Sequence, residues 1–264
     1  MSNRKEVLER FYNEYCDEDE RLVKDKCHQM EFITTLKYVD KYLKVGDKIL
    51  EVGAGTGRYS LHYAEKGFNV TAIEFIEHNL EVLKLHIKEG MKIRAEQGDA
   101  IDLSRFGDNV FDVTLVLGPL YHLYSEDEQR KAISEAIRVT KSGGVIMIAY
   151  IPNDSVMINW ALGENIVKGK GVEFDENFRF FNNENNIFAT FYISEFKHMM
   201  NDFEVKYLHN VATDGIAECL NDKVNELTDE QFEEWVRYHL SVCEREDMCG
   251  VSAHMLYICE KEDF

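Results

Sequence analysis

Hydrophobic positions change their spacing several times along this chain. Over residues 48–151, short β-rich runs alternate with stretches whose apolar residues recur every three or four positions. That is the pattern of a parallel sheet wound with helices. The runs predict strands over 48–52, 69–74, 92–97, 111–117 and 145–151. Most are continuously apolar rather than alternating, as strands covered on both faces are. Between them, Ile76, Leu80, Leu83 and Ile87 mark one helix face, and Ala132, Ile133, Ala136 and Ile137 mark another. Ser125 and Glu128 open the second of these helices as a capping box. Gly67, Gly90 and the pair Gly143-Gly144 stand where helices are expected to stop and turn into the next strand.

On either side of this stretch the pattern changes. Met30, Phe32, Ile33, Leu36, Val39 and Leu43 form an apolar stripe on one helix behind a more polar leader, so residues 1–44 read as a helical cover that can reach the ligand mouth. Residues 153–190 mix aromatics with polar positions and read as a lid insertion, with Phe174, Phe178, Phe180 and Phe181 as its core. A helix near 194–202, a strand near 203–209, a helix capped by Thr228 and Gln231, and a strand over 251–259 follow. Residues 191–264 are thus expected to complete the sheet around an inserted helix. A single domain is expected over 1–264, with its ligand-binding core at 45–151, since no Pro/Ser-rich or Gly/Ser-rich linker interrupts the chain.

Composition narrows the partners. With 30 Lys plus Arg against 49 Asp plus Glu, the 264-residue chain carries a formal net charge of -19. A field of that sign repels phosphate backbones and anionic lipid, which argues against nucleic acid and membrane and leaves a small molecule as the expected partner. The six cysteines form no CxxC pair and no zinc-like cluster with histidine, so reduced thiols, a cytoplasmic location and no metal are expected. Neither an apolar signal core nor a run of about 18 apolar residues is present. The sequence carries no indication of oligomeric state.

The chemistry sits in the turn after the first strand. Glu51-Val52-Gly53-Ala54-Gly55-Thr56-Gly57 places three glycines between a strand and a segment that continues as helix. Glycine lets the backbone turn sharply and approach a ligand, and the helix start supplies unpaired N–H groups. The dinucleotide fingerprint would need a glycine at position 58, where this chain has Arg58. Glu74 ends the second strand, where an acid can accept both hydroxyls of a ribose. Gly98-Asp99-Ala100 follows the third, and Asp99 can accept from the amino group of an adenine, or else cap a turn.

Taken in order, the glycine loop, the two acids and the strand Phe111-Asp112-Val113-Thr114-Leu115-Val116-Leu117 resemble a class I S-adenosylmethionine-dependent methyltransferase over roughly residues 43–151. The resemblance implies a Rossmann-like, doubly wound α/β fold with a seven-stranded sheet whose last strand is antiparallel. It implies S-adenosyl-L-methionine as cofactor, with Glu51 and the loop residues Gly53, Ala54, Gly55 and Gly57 at its methionine end. Glu74 would then hold the ribose and Asp99 with Ala100 the adenine, while the backbone near Leu117 would face the reacting region. The acceptor does not carry over from the resemblance.

Methyl transfer from a sulfonium needs chiefly an acceptor held in line and water excluded. His122 and Tyr121, just after the fourth strand, are the candidates for a general base and a positioning group. A loop histidine that caps a backbone group is the competing reading of His122. Arg21, His28 and Glu31, ahead of the first apolar helix, and His254, in the last strand, are candidate acceptor contacts, though solvated charges and a satisfied polar residue would look the same. A methyltransferase for RNA or protein, a cofactor-binding module without turnover, and a nicotinamide-dependent oxidoreductase are the other readings, the last opposed by Arg58.

Overall fold

The computed structural model describes residues 4–16, 18–162, 174–181 and 187–262. Its sheet is assembled from β1 (Lys48–Val52), β2 (Asn69–Glu74), β3 (Ile93–Gln97), β4 (Phe111–Val116), β5 (Thr140–Pro152), β7 (Val205–Ala212) and β8 (Met255–Lys261) in the order β3-β2-β1-β4-β5-β8-β7. The first five pair in parallel, while β8 runs antiparallel to both β5 and β7. A two-residue strand, β6 (Thr190–Phe191), adds a short parallel pairing to the end of β5. This is the Rossmann-like, doubly wound sheet with its last strand antiparallel that the family resemblance implies.

Why the strands read as unbroken apolar runs is visible in β5. Ile146, Ile148 and Tyr150 enter one core, with Ala132, Ile133 and Ala136 of α5 (Glu126–Val139) and Phe196 and Met200 of α7 (Ile193–Met200). Val145, Met147 and Ala149 enter the other, with Tyr63 and Ala64 of α3 (Arg58–Glu65) and Tyr38 and Val39 of α2 (Lys26–Tyr42). Alternate side chains point to opposite faces, and both faces are covered, so neither set can be polar. The expected helix near Ile76 to Ile87 is α4 (Glu77–His86), and α5 begins at Ser125, whose hydroxyl accepts from the Glu128 N–H. Beyond the short α8 (Asn221–Asn225), Thr228 and Gln231 form the reciprocal capping box of α9 (Asp229–Val242).

Three boundaries differ from the sequence reading. Gly143-Gly144 does not end a helix: α5 stops at Val139, with the Thr140 N–H on the Ala136 carbonyl, and the glycines lie inside β5. There Phe111 pairs with Thr140 and Val113 with Val145, so four residues of β5 bulge opposite Asp112. A Cβ on Gly144 would sit 2.9 Å from the Asp112 carbonyl oxygen, which is why a residue without a side chain stands there. The strand expected at 203–209 is β7, displaced because the Phe203 N–H still bonds to the Met200 carbonyl at the end of α7. The strand expected from residue 251 begins only at Met255, because Ser252 and His254 are occupied by hydrogen bonds to Asp214.

Ahead of α2, the polar leader forms α1 (Arg4–Glu14), whose one buried residue, Leu8, packs with Ile76 and Ile187. After β5, α6 (Asn153–Val156) leads into a π-helical turn at Met157–Ala161, against which Phe174 and Phe180 pack. Much of the segment read as a lid, 163–173 and 182–186, lies outside the described residues. Asn153 ties its described parts together, donating to the Phe178 carbonyl at 2.9 Å and accepting from the Phe180 N–H at 3.0 Å and the Thr190 hydroxyl at 3.1 Å. Phe178 and Phe181 are exposed rather than core. Among the described residues no helix is long and apolar enough to cross a membrane.

The bulge supplies a stability test. Gly144→Ala is expected to lower the unfolding free energy by about 1–3 kcal/mol, the usual cost of overpacking. Equilibrium urea denaturation reads it, and an unchanged midpoint would show that the bulge accommodates a methyl group.

Candidate functional site

The β1–α3 turn is shaped by backbone that only glycine adopts easily. Gly53, Gly55 and Gly57 have φ of +75°, +55° and +89°. A Cβ at Gly53 would lie 2.5 Å from Cδ of Pro119, so the turn after β1 and the turn after β4 touch only because Gly53 has none. Gly57 serves packing instead. A Cβ there would meet Leu83 of α4 at 2.5 Å, so its bare backbone lets the start of α3 close against α4.

Glu74 connects this loop to the next strand end. One carboxylate oxygen accepts the Gly55 N–H at 2.7 Å and the other the Ile76 N–H at 2.8 Å. Each oxygen keeps a second lone pair, which fits a ligand with two neighbouring hydroxyls, such as a ribose. Burial pushes the Glu74 carboxyl up to about 7, against the opposing pull of these backbone N–H groups. Glu51 lies deeper. Ser60 donates to it, burial pushes it up to about 8, and it does not line the cavity. Ala54 also lies behind the wall, packed with Ala72 and Leu83.

A cavity of about 670 Å³ opens above these strand ends, within the range of about 300–1,000 Å³ usual for small-molecule sites. Gly53, Gly55, Glu74, Asp99, Ala100 and Leu117 line it. Tyr121, His122, Arg21, His28, Glu31 and His254 line it as well. Twelve of the fifteen residues singled out in the sequence therefore meet here, and Glu51, Ala54 and Gly57 do not.

His122 closes a short 3₁₀ turn, Pro119–His122, after β4. Its Nδ1 lies 3.1 Å from the Ile187 carbonyl and its Nε2 2.8 Å from the Tyr12 hydroxyl. A carbonyl can only accept, so Nδ1 carries the proton and Nε2 accepts from Tyr12. Burial drives the imidazole down to about 4, which keeps it neutral. Tyr121 donates to the Leu117 carbonyl at 3.3 Å, and burial raises its phenol above the ordinary range.

The far wall is a ladder of alternating charge drawn from distant parts of the chain. Arg21 Nε lies 3.1 Å from Glu18, and Arg21 Nη1 lies 2.7 Å from Glu31. Glu31 stands 3.6 Å from His254 Nδ1, which is 2.7 Å from Asp214. Asp214, itself 2% exposed, also accepts from the Ser252 hydroxyl and the His254 N–H. Burial opposes a charge on His254, but Glu31 and Asp214 outweigh it and hold the imidazole up at about 9. Burial likewise works against Glu31 and Asp214, yet Arg21 holds the first and His254 the second below the ordinary carboxylate range. His28 belongs to the start of α2, where Asp25 accepts from its N–H at 3.0 Å and meets its Nδ1 at 2.7 Å.

Among the described residues the fold also gathers two groups of potential metal ligands that sequence spacing cannot display: Glu31, Asp214 and His254, and Cys27, His28 and Glu218. In the first, the ion pairs above already use the ligand atoms. Glu18, Asp214, Tyr12, Phe75 and Arg4 are cavity residues that the sequence reading missed. Only Phe75 carried a sequence signal, its position directly after Glu74.

Comparison with known proteins agrees with this geometry. Residues 49–144 match the family model described as "Methyltransferase domain". A demethylmenaquinone methyltransferase of Paenarthrobacter aurescens (strain TC1) is 40% identical over 107 residues, which is 40% of this chain and 40% of that protein. The match thus spans about two-fifths of that relative. In fold, the chain resembles a methyltransferase of Streptomyces caelestis, with a TM-score of 0.59, 13% identity and 98% of both chains covered. It also resembles the 1,6-didemethyltoxoflavin-N1-methyltransferase of Burkholderia thailandensis, solved with 1,6-didemethyltoxoflavin and S-adenosylhomocysteine, with a TM-score of 0.58 and 14% identity, covering 98% of this chain and 87% of that one. With the glycine loop, the two strand-end acids and the antiparallel last strand in place, residues 49–144 carry a methyltransferase domain of the class I kind, whose cofactor is S-adenosyl-L-methionine.

Proposed function

We propose that the chain, acting as one domain, binds S-adenosylmethionine over the ends of β1, β2 and β3 and directs its methyl group in line onto a small acceptor. The observation that carries this reading is the shared cavity, in which Gly53, Gly55, Glu74 and Asp99 face Arg21, Glu31, Tyr121 and His254. When bound, the cofactor supplies a methyl group already activated on a sulfonium. Glu74 accepts the ribose hydroxyls, Asp99 the adenine amino group, and the Gly53–Pro119 contact sets how closely the backbone approaches the ligand.

Positioning of the acceptor supplies most of the rate, on the order of 7–11 kcal/mol where alignment is good. Arg21, Glu31 and His254 orient it through their charges, and Tyr121 closes the side next to Leu117. His122 is neutral and committed at both nitrogens, so its part is to position Tyr12 rather than to take a proton. Two features support a small molecule: the limited cavity, shared by cofactor and acceptor, and the net charge of -19, which disfavours nucleic acid. The demethylmenaquinone and didemethyltoxoflavin enzymes also act on small molecules, by their names.

Calorimetry with S-adenosylmethionine and S-adenosylhomocysteine tests the cofactor, and no heat of binding at millimolar concentration would sink the reading. Formation of S-adenosylhomocysteine in a metabolite pool tests turnover, and binding without it would assign a cofactor-binding module instead. Gly53→Ala is expected to weaken S-adenosylhomocysteine binding at least tenfold, about 1.4 kcal/mol, while circular dichroism stays native, because the new Cβ drives the loop off Pro119. Affinity should also depend on pH. Ionised Glu74 is the better acceptor, and its carboxyl titrates at about 7, so binding strengthens as pH rises through 7 and weakens below it. Glu74→Gln should bind more weakly and lose this dependence; a pH step that persists in the variant would assign it to another group.

A further inference from the structure

Helix α1 brings Arg4 to the end of the cavity assigned above to adenine. Its Nη2 pairs with Oδ2 of Asp99, and its guanidinium carbon lies 4.8 Å from the centroid of the Phe75 ring. The other oxygen of Asp99 accepts the Ile101 N–H at 3.3 Å, so Arg4 holds the oxygen left for an exocyclic amino group. Arg4 Nη1 is buried, stands 3.8 Å from Glu128, and has no hydrogen-bond partner among the described residues. Guanidinium and adenine are alike where it matters here: both are flat, donate N–H bonds in their plane, and stack on an aromatic face.

Resting on the S-adenosylmethionine reading, we propose that Arg4 is an internal occupant of the adenine subsite, which the cofactor must displace together with α1. A guanidinium that stacks on the Phe75 ring while paired with Asp99 takes the space in which an adenine would make the same two contacts. The helix is held at a few points: Leu8 is its one buried residue, Val7, Phe11 and Tyr12 pack part-buried beside it, and the Tyr12–His122 hydrogen bond ties it to the far end of the cavity. Segments with so little burial open at low free-energy cost. A ligand that competes with docked Arg4 binds more weakly by the fraction of molecules in which the subsite is open. Since α1 also carries Tyr12, its displacement releases His122 Nε2, which links filling of the adenine end to rearrangement beside the acceptor.

The test uses the full chain and needs no acceptor. S-Adenosylhomocysteine and adenosine are titrated calorimetrically into the parent and Arg4→Ala, and amide exchange of α1 is followed in the parent with and without adenosine. Removing Arg4 is expected to tighten both ligands roughly three- to thirtyfold, the worth of one partly desolvated cation–π contact. Added salt should strengthen adenosine binding in the parent and not in the variant, because it screens the Arg4–Asp99 pair. Adenosine should also speed exchange in α1. Equal or weaker binding by Arg4→Ala, or slower exchange in α1 with adenosine, would overturn the proposal, making Arg4 a bystander or a clamp. Failure of both proteins to bind S-adenosylhomocysteine would instead sink the cofactor assignment on which it rests.

Discussion

One carboxylate joins the parts of the site that have to move as a unit. Glu74 ends β2 and accepts from the glycine loop at Gly55 and from Ile76, the N-cap of α4, so loop, strand end and helix start share one acceptor. That arrangement needs parallel strands in register. β1 and β2 pair residue for residue from Lys48 with Asn69 to Val52 with Ile73, which carries both chain segments to the same edge of the sheet. Slippage by one residue would turn Glu74 to the opposite face and leave two N–H groups of the edge without their acceptor. The burial that raises the Glu74 carboxyl is the same burial that makes its hydrogen bonds selective.

The remainder of the cavity follows a different rule. It holds charges that water would otherwise solvate, and each survives there because a neighbour of opposite sign is within reach. Glu18, Arg21, Glu31, His254 and Asp214 alternate in sign from end to end. Breaking any rung would leave a buried charge without its partner, which is far more costly than the pair is favourable. Such a wall presents a fixed alternation of charge to whatever enters the cavity.

These two halves differ in how much the sequence reveals. The cofactor half is continuous from residue 48 to residue 117, and its signals are local: strand runs, glycines in a turn, an acid at a strand end. Periodicity and spacing therefore located Gly53, Gly55, Glu74 and Asp99 on the cavity. Gly57 looked the same in sequence, and only its contact with Leu83 separates packing from ligand approach. Glu51 likewise reads as a strand-end acid, but the sheet buries it beside Ser60. Gly143-Gly144 read as a helix stop because a bulge within a strand leaves the same pair of glycines. The charged wall had no local signature at all. Arg21 and His254 meet through folding alone, and Asp214, which orients His254, stands in no motif.

The last strand has a consequence for how the molecule comes to be made. β8 is inserted between β5 and β7 instead of being added at an edge, and it brings His254 in with it. A chain emerging from the ribosome can pair β1 to β5 early, yet the sheet stays divided and the charge ladder lacks a rung until His254 and β8 have followed β7. Contacts between residues this far apart in sequence form slowly. Assembly of the charged wall therefore waits on β8, and β5 and β7 present open edges to the chaperone machinery until β8 arrives.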